Sequence, residues 1–518
     1  MLSKKLWFLI SLLAASVSLV GCARAAETTA EKSTPVVAAN EFLVKENDIW
    51  VQVGDSITEQ TLYTTYLEAF IRARYPKLHF VAINSGKSGE VTIQGIIRFR
   101  YSIAAFKPTL VTSAYGMNDH IKVFTPASQF QDDPTSAPFR FANATKRLGA
   151  RYVIINSSPL LKPMESPDIL VSKDGTPRLA ASRTNLVNKM FADKMRVVAE
   201  KNGALFLDQM TPLQTIWGAN YERDWIAAVG DSVKRVLDAT TPEAASRASL
   251  YFTQVMKGIL GNREFFARLA LPDKEKFVSS WNAKRQTDEE RAAYSQYLKN
   301  WLAAYNASTP PFVRLSGYTN SVRSIDLIHP NEAGHLHMAG VLFQLMNGNG
   351  LVSEVFLDAK SVKVVKTSKA AVRDVSFKNG VLTFKRWDES LPLPIDVAAR
   401  PALNVDVSTL LGTPQDLFGM SRYLLKISNL PNGDYQIKID GEEVARRSSD
   451  ELSKGVDLGF LDKGPIYNQT QKLLEAVKQN IITAFPPKGQ PGYSTNVKPK
   501  MLEEAQPVER AWTISLLK

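Results

Sequence analysis

The stretch "VQVGDSITEQ", Val51–Gln60, sets a short aliphatic run directly against Gly-Asp-Ser, just where a helical pattern begins. Two readings compete for such a turn. One is an ordinary tight turn. The other is a serine hydroxyl held at the carboxyl edge of a sheet, and the surrounding chain decides between them.

Working outward, five short apolar runs recur with helical stretches between them: "DIWVQV" (48–53), "HFVAIN" (79–84), "TLVTSAY" (109–115), "RYVIIN" (151–156) and "ALFLD" (204–208). The runs are continuous rather than alternating, as strands covered on both faces should be. Between the first two, Leu62, Tyr66, Phe70 and Ile71 share one face of a helix that must stop before Pro76. Ser182 to Lys201, with Leu186, Met190, Phe191 and Val197, reads as another amphipathic helix. This alternation implies an α/β fold, a parallel sheet with helices on both sides. Such sheets carry their chemistry beyond the carboxyl ends of the strands. "GDS", "SGKSGE" and "GMND" follow the first three strands, so all three polar clusters fall on one edge.

The pattern changes twice further on. Residues 211–320 are helix-like, rich in Ala, Arg, Lys and Glu, and hold Trp217, Trp225, Trp281 and Trp301. They read as a helical insertion whose tryptophans form its own core, with a sugar-stacking platform as the sharper alternative. From 351 to 518 the segments "VKVVK", "VSFKNGVLTFKRW" and "YLLKISNLPNGDYQIKIDGEEVA" give alternating strands with Asn-Gly, Asn-Gly-Asp and Asp-Gly turns, then a helix near 468–484. This is a second, β-rich domain.

The chain has 518 residues, 44% apolar and 22% charged, with a net charge of +12. That length suggests two to four domains, and the charge favours anionic surroundings: a membrane face, an acidic polymer or nucleic acid. Nucleic acid is the weakest of these, since no basic stripe with interleaved aromatics and no zinc or helix-turn-helix pattern is present. At the N-terminus, Lys4 and Lys5 precede an apolar run ending "LVGC". The run is too short for an ordinary spanning helix. Leu-Val-Gly-Cys resembles a bacterial lipobox. It implies a signal peptide over 1–21, lipidation of Cys22 and a place in the cell envelope, and Ala23, where an Asp would resemble an inner-membrane retention signal, favours the outer membrane. A plain signal peptide is the alternative. Cys22 is the only cysteine, so neither a disulfide framework nor a cysteine-based metal site is expected. The Ala/Thr/Glu-rich segment 22–41 reads as a flexible tether.

The chemistry is completed by "SIDLIHPNEAGHLHMAGVLFQLM" from Ser324. Asp326 and His329 are three apart, and Pro330 and Asn331 open an amphipathic helix. Acyl transfer needs a nucleophile, a base and a carboxylate that orients the base. Asp326 on a turn can reach the His329 Nδ1–H and leave Nε2 facing Ser56. His335 and His337 lie inside the following helix, where packing suits them better. The tetrahedral oxyanion needs fixed donors, and the backbone N–H groups of Ser56 and Gly89 with the amide of Asn118 are the available set. A P-loop reading of Gly86-Lys87-Ser88 fails because Val81 stands where the first glycine belongs. The second Gly-Asp-Ser, at Gly230-Asp231-Ser232, has no strand before it.

Gly54-Asp55-Ser56-Ile57, the segment ending at Gly89, Gly116-Met117-Asn118-Asp119 and Asp326-Leu327-Ile328-His329-Pro330 together resemble the four blocks of the SGNH (GDSL-type) hydrolases, in the family's order. The resemblance covers about 49–347 apart from the insertion. It implies a flavodoxin-like three-layer α/β/α domain over 42–350. It implies Ser56 as nucleophile, His329 as base and acid, Asp326 as its partner, and Ser56, Gly89 and Asn118 as oxyanion hole. Asp55 becomes a brace for the loop and His120 an incidental neighbour. No cofactor or metal is implied. The expected activity is a serine esterase acting on an acetylated envelope or extracellular glycan. A lipid esterase, a polysaccharide O-acetyltransferase and a non-catalytic glycan-binding scaffold are the alternatives.

Overall fold

The computed structural model describes residues 41–119, 136–160, 169–171, 177–179, 185–218, 221–260, 266–267, 269–309, 328–404, 417–485 and 499–517. Strand β1 (Asp48–Gly54) leads through the short helix α1 (Ser56–Glu59) into α2 (Leu62–Arg74). Strand β2 (Phe80–Gly86), helix α3 (Thr92–Ser102), β3 (Leu110–Ala114) and β4 (Arg151–Ile155) follow. All four strands coincide with the apolar runs of the sequence.

The sheet order is Ile482–Thr483, β2, β1, β3, β4, Leu205–Leu207, and every neighbouring pair is parallel. Counted in chain order within this sheet, its first five strands therefore run 2-1-3-4-5, the flavodoxin-like order, whose switch point lies beside β1 and β3. Alternate side chains of β1 feed two cores. Trp50 joins α2, the helix Glu332–Leu345 and the helix Pro465–Lys478 on one face. Val51 and Val53 join α3, Ala137–Arg147 and Asn185–Asn202 on the other. This is a three-layer α/β/α arrangement with apolar strands buried on both faces.

Four helices, Tyr221–Asp238, Pro242–Leu260, Lys274–Asn282 and Asp288–Ser308, enclose a separate core with Trp225, Phe252, Phe277 and Trp301 at its centre. Trp281 packs against it. Trp217 does not belong there. Its helix, Met210–Gly218, lies on the main core, and its indole N–H donates to His337 Nδ1 at 3.3 Å. Ser232 of the second Gly-Asp-Ser is fully buried within a helix and bonds the Val229 carbonyl, so it is not presented to any site.

The C-terminal region forms a five-stranded antiparallel sheet and a four-stranded mixed sheet around a common core of Phe384, Tyr423, Ile437 and Trp512. Asn379-Gly380 and Asp440-Gly441 each place two residues at positive φ, as the tight hairpins of twisted strands require. Asn432-Gly433-Asp434 does not close a hairpin: it carries the chain from one sheet to the other. The helix expected near 468–484 is Pro465–Lys478. Ile482–Thr483 then extends the α/β sheet beside β2.

The helix Glu332–Leu345 was expected to be amphipathic. It is buried around its whole circumference from Ala333 to Phe343, because the C-terminal segment around Ala399 and Ala402 covers its outer side. Burial also governs its histidines. His335 and His337 are 0% and 1% exposed, bonded to Gln60 and to the Ala402 carbonyl. Desolvation pulls the imidazole of His335 down to about 3, helped by the nearby His329, and that of His337 down to about 4. As pH falls below the ordinary value of 6.5, the unfolded chain takes up these protons and the folded chain does not. Stability is therefore lost between pH 6.5 and about 4, by roughly 2 kcal/mol per histidine at pH 5. Denaturant midpoints at pH 7 and pH 5 measure the loss. A His337→Leu variant should show a shallower pH slope, and an unchanged slope would contradict this account.

Candidate active site

The site is built on the turn that ends β1. Asp55 is the N-cap of α1, and its Oδ1 accepts the Ile57 N–H at 3.0 Å, so its place in the turn is that of a brace. This fixes Ser56 as the first helical residue, 8% exposed. Thr58 in the same turn bonds the Tyr63 hydroxyl at 2.9 Å and, through its carbonyl, the Asn84 amide at 2.7 Å. The serine thus sits on a short element held from two sides.

The next turn is tied to the first. The Lys87 N–H donates to the Gly54 carbonyl at 3.0 Å. Gly86 is required there because a Cβ would lie 2.3 Å from the backbone nitrogen of Glu59. Gly89 adopts a φ of +70°, in the left-handed region that glycine enters without strain. The third turn closes the group. Asn118 is 4% exposed, and its amide donates to the Glu90 carbonyl at 3.1 Å and lies 3.5 Å from Asp55 Oδ2. Asp119 fixes that turn by accepting the N–H groups of Gly116 and Thr92 at 3.1 and 3.0 Å. Burial raises its carboxyl above the ordinary range, against the pull of these hydrogen bonds.

His329 arrives from far along the chain. Pro330 and the N-cap Asn331, whose Oδ1 accepts the Gly334 N–H at 3.1 Å, start the helix Glu332–Leu345 immediately after it. His329 Nε2 lies 2.7 Å from Ser56 Oγ, across 273 residues of sequence. The structure therefore gathers Ser56, Asn118 and His329, with Gly89 on the adjoining turn. Asp326, His120 and Cys22 lie outside the described residues. Among the described residues no group of three or more His, Cys, Asp or Glu is placed to hold a metal ion.

Sequence reasoning missed what stands behind the Gly89 turn. Glu90 and Arg98 are 4% and 7% exposed and form an ion pair at 2.7 Å. Arg98 also donates to Ser85 Oγ and to the Ser85 carbonyl, both at 2.6 Å, and Tyr115 donates to Glu90 Oε2 at 2.8 Å. The ring of Phe485, next to the edge strand Ile482–Thr483, lies 5.0 Å from the Arg98 guanidinium. The position of Glu90, directly after Gly89, was the one available signal.

A protein-family comparison matches residues 53–232 to the GDSL-like Lipase/Acylhydrolase family. The segment is a domain of that family, and its class is that of ester-bond hydrolases. His329 lies beyond the matched residues and joins the domain through the fold. Among solved structures, a gut microbial diltiazem-metabolizing enzyme superposes with a TM-score of 0.57 at 16% identity, over 92% of this chain and 99% of that one. The fold of catalytic domain and C-terminal region together is thus shared with that chain. An acetylxylan esterase from Geobacillus stearothermophilus aligns over 34% of this chain and 81% of its own, at 17% identity and a TM-score of 0.27. An alpha/beta hydrolase enzyme from the metagenome of Lake Arreo, Spain, aligns over 34% and 83%, at 18% and 0.27. No curated protein matches the chain.

Proposed function

We propose that the protein is a serine esterase that removes O-acetyl groups from an envelope or extracellular polysaccharide. The observation that carries the reaction is the 2.7 Å contact between Ser56 Oγ and His329 Nε2. Ser56 Oγ attacks the ester carbonyl carbon while His329 Nε2 takes its proton. The negative charge that develops on the carbonyl oxygen is met by the N–H groups of Ser56 and Gly89 and by the Asn118 amide. His329 returns the proton to the leaving alcohol as the C–O bond breaks. It then deprotonates the water that releases the acid and frees Ser56. Asp326, three residues before His329, is the group assigned to orient the imidazole.

The polymeric substrate is supported by the net charge of +12 and by the β-rich region beyond the catalytic domain. A panel of acyl esters tests the acyl group. The kcat/KM for acetyl esters should exceed that for octanoyl esters by about 100-fold or more, since each misfitting methylene weakens binding. A preference for the longer chain would make the protein a lipid esterase instead. The run Leu19-Val20-Gly21-Cys22 supports a lipid anchor on Cys22, and Ala23, where an Asp would resemble an inner-membrane retention signal, supports a place at the bacterial outer membrane. A Cys22→Ala variant should then move from the membrane fraction to the soluble one, and unchanged fractionation would refute the anchor.

A further inference from the structure

A groove of about 500 Å³ opens between α2 and the C-terminal region, lined by Arg74, Lys77, Lys369, Trp387 and Glu389 among others. That volume lies within the ordinary range of small-molecule sites, about 300–1,000 Å³. It is not part of the active site. Pro76, Lys77 and Leu78 precede β2, so the groove sits at the amino ends of the parallel strands, whereas Ser56 follows the carboxyl end of β1. A seven-residue strand separates the two ends by roughly 20 Å.

The groove's charge is unbalanced. The lining holds three cations, Arg74, Lys77 and Lys369, which form no ion pair among the described residues, and two carboxylates: Glu46, committed to His79 at 2.9 Å, and Glu389, whose charge acts on Lys369. Arg74 is the unusual member. It is 4% exposed and donates to the carbonyls of Asn349 and Met420 at 2.7 and 3.1 Å, yet its Nε–H has no partner. A buried guanidinium without a carboxylate is costly, and burial pulls it down to about 10. Lys369 is also lowered, first by burial and then by Arg74. Beside these cations, the Trp387 ring stands on the outward face of its strand at 36% exposure. A flat exposed indole offers a stacking surface to a pyranose, and the exposed Glu389 carboxylate offers an acceptor for its hydroxyls.

We propose that this groove is an accessory binding site for a carboxylate-bearing saccharide, with Trp387 under a sugar ring, Lys77 and Lys369 facing the carboxylate, and the buried charge of Arg74 behind them. It would hold an acidic polymer on the enzyme while ester groups pass the distant serine, raising their local concentration. The site stands on the groove alone and not on the chemistry at Ser56.

Titration calorimetry on the full chain carrying Ser56→Ala tests this, because nothing is then consumed. Trigalacturonate should bind, and neutral trigalactose should bind at least about tenfold more weakly. Trp387→Ala and Lys369→Gln should each weaken trigalacturonate by about fivefold or more, while both retain wild-type turnover of p-nitrophenyl acetate when Ser56 is intact. The proposal is overturned by the absence of binding at ~10 mM, by equal affinity for the neutral sugar, by citrate binding as tightly as the saccharide, or by variants that bind unchanged. A failure of esterase activity would leave these binding results as they are.

Discussion

Ser56→Ala is expected to lower kcat by about four to six orders of magnitude with KM little changed. The change deletes one oxygen, and nothing else in the turn depends on it. The first turn of α1 is capped by Asp55 and held by Thr58, Tyr63 and Asn84, so the backbone N–H of residue 56 stays in place. Binding and the three proposed oxyanion donors then survive, and a residual acceleration of roughly 10³ to 10⁴ over water should remain. His329→Ala should cost about as much as Ser56→Ala, and the double variant little more, because nucleophile and base act as a unit. Two losses that add fully would mean that the pair does not work together. Initial rates on p-nitrophenyl acetate give all three values.

The second large effect is on stability. Glu90→Ala is expected to destabilise the fold by about 3–5 kcal/mol, the cost of leaving a buried charge without its partner. Arg98 would keep its contacts to Ser85 and Ser102 but lose the only carboxylate bonded to it among the described residues, and Tyr115 would lose its acceptor. Both ends of the pair are under 10% exposed, so solvent does little to screen the loss. The double variant Glu90→Leu with Arg98→Met removes both charges and should recover most of the stability. Urea denaturation of the three proteins decides the matter. A single variant within about 1 kcal/mol of the parent would show that the pair is not a support of the Gly89 turn.

Much of the catalytic half was legible in the sequence, and the reason is physical. Strands covered on both faces must be apolar without interruption, so β1 to β4 announced themselves, and the edge on which their turns collect followed from parallel pairing. That Ser56, Asn118 and His329 would come together was legible because the proposed chemistry tolerates few residue types at those places. Other features left no mark. Ile482–Thr483 contributes two residues to the sheet, too few for any periodicity. Trp217 sits in the main core rather than with the insertion, because a lone indole carries no sign of which core it fills. The burial of the whole circumference of Glu332–Leu345 depends on a segment some sixty residues later, at Ala399 and Ala402. The Glu90–Arg98 pair joins residues eight apart that no helical spacing would bring together.

The central claim is that the Ser56 hydroxyl is activated by His329. The direct measurement is labelling with a fluorophosphonate ester, followed by mass mapping of the adduct. One equivalent should attach to the peptide containing Ser56, and His329→Ala should slow labelling by about a thousandfold or more. An adduct on another residue, or equal labelling rates with and without His329, would contradict the account.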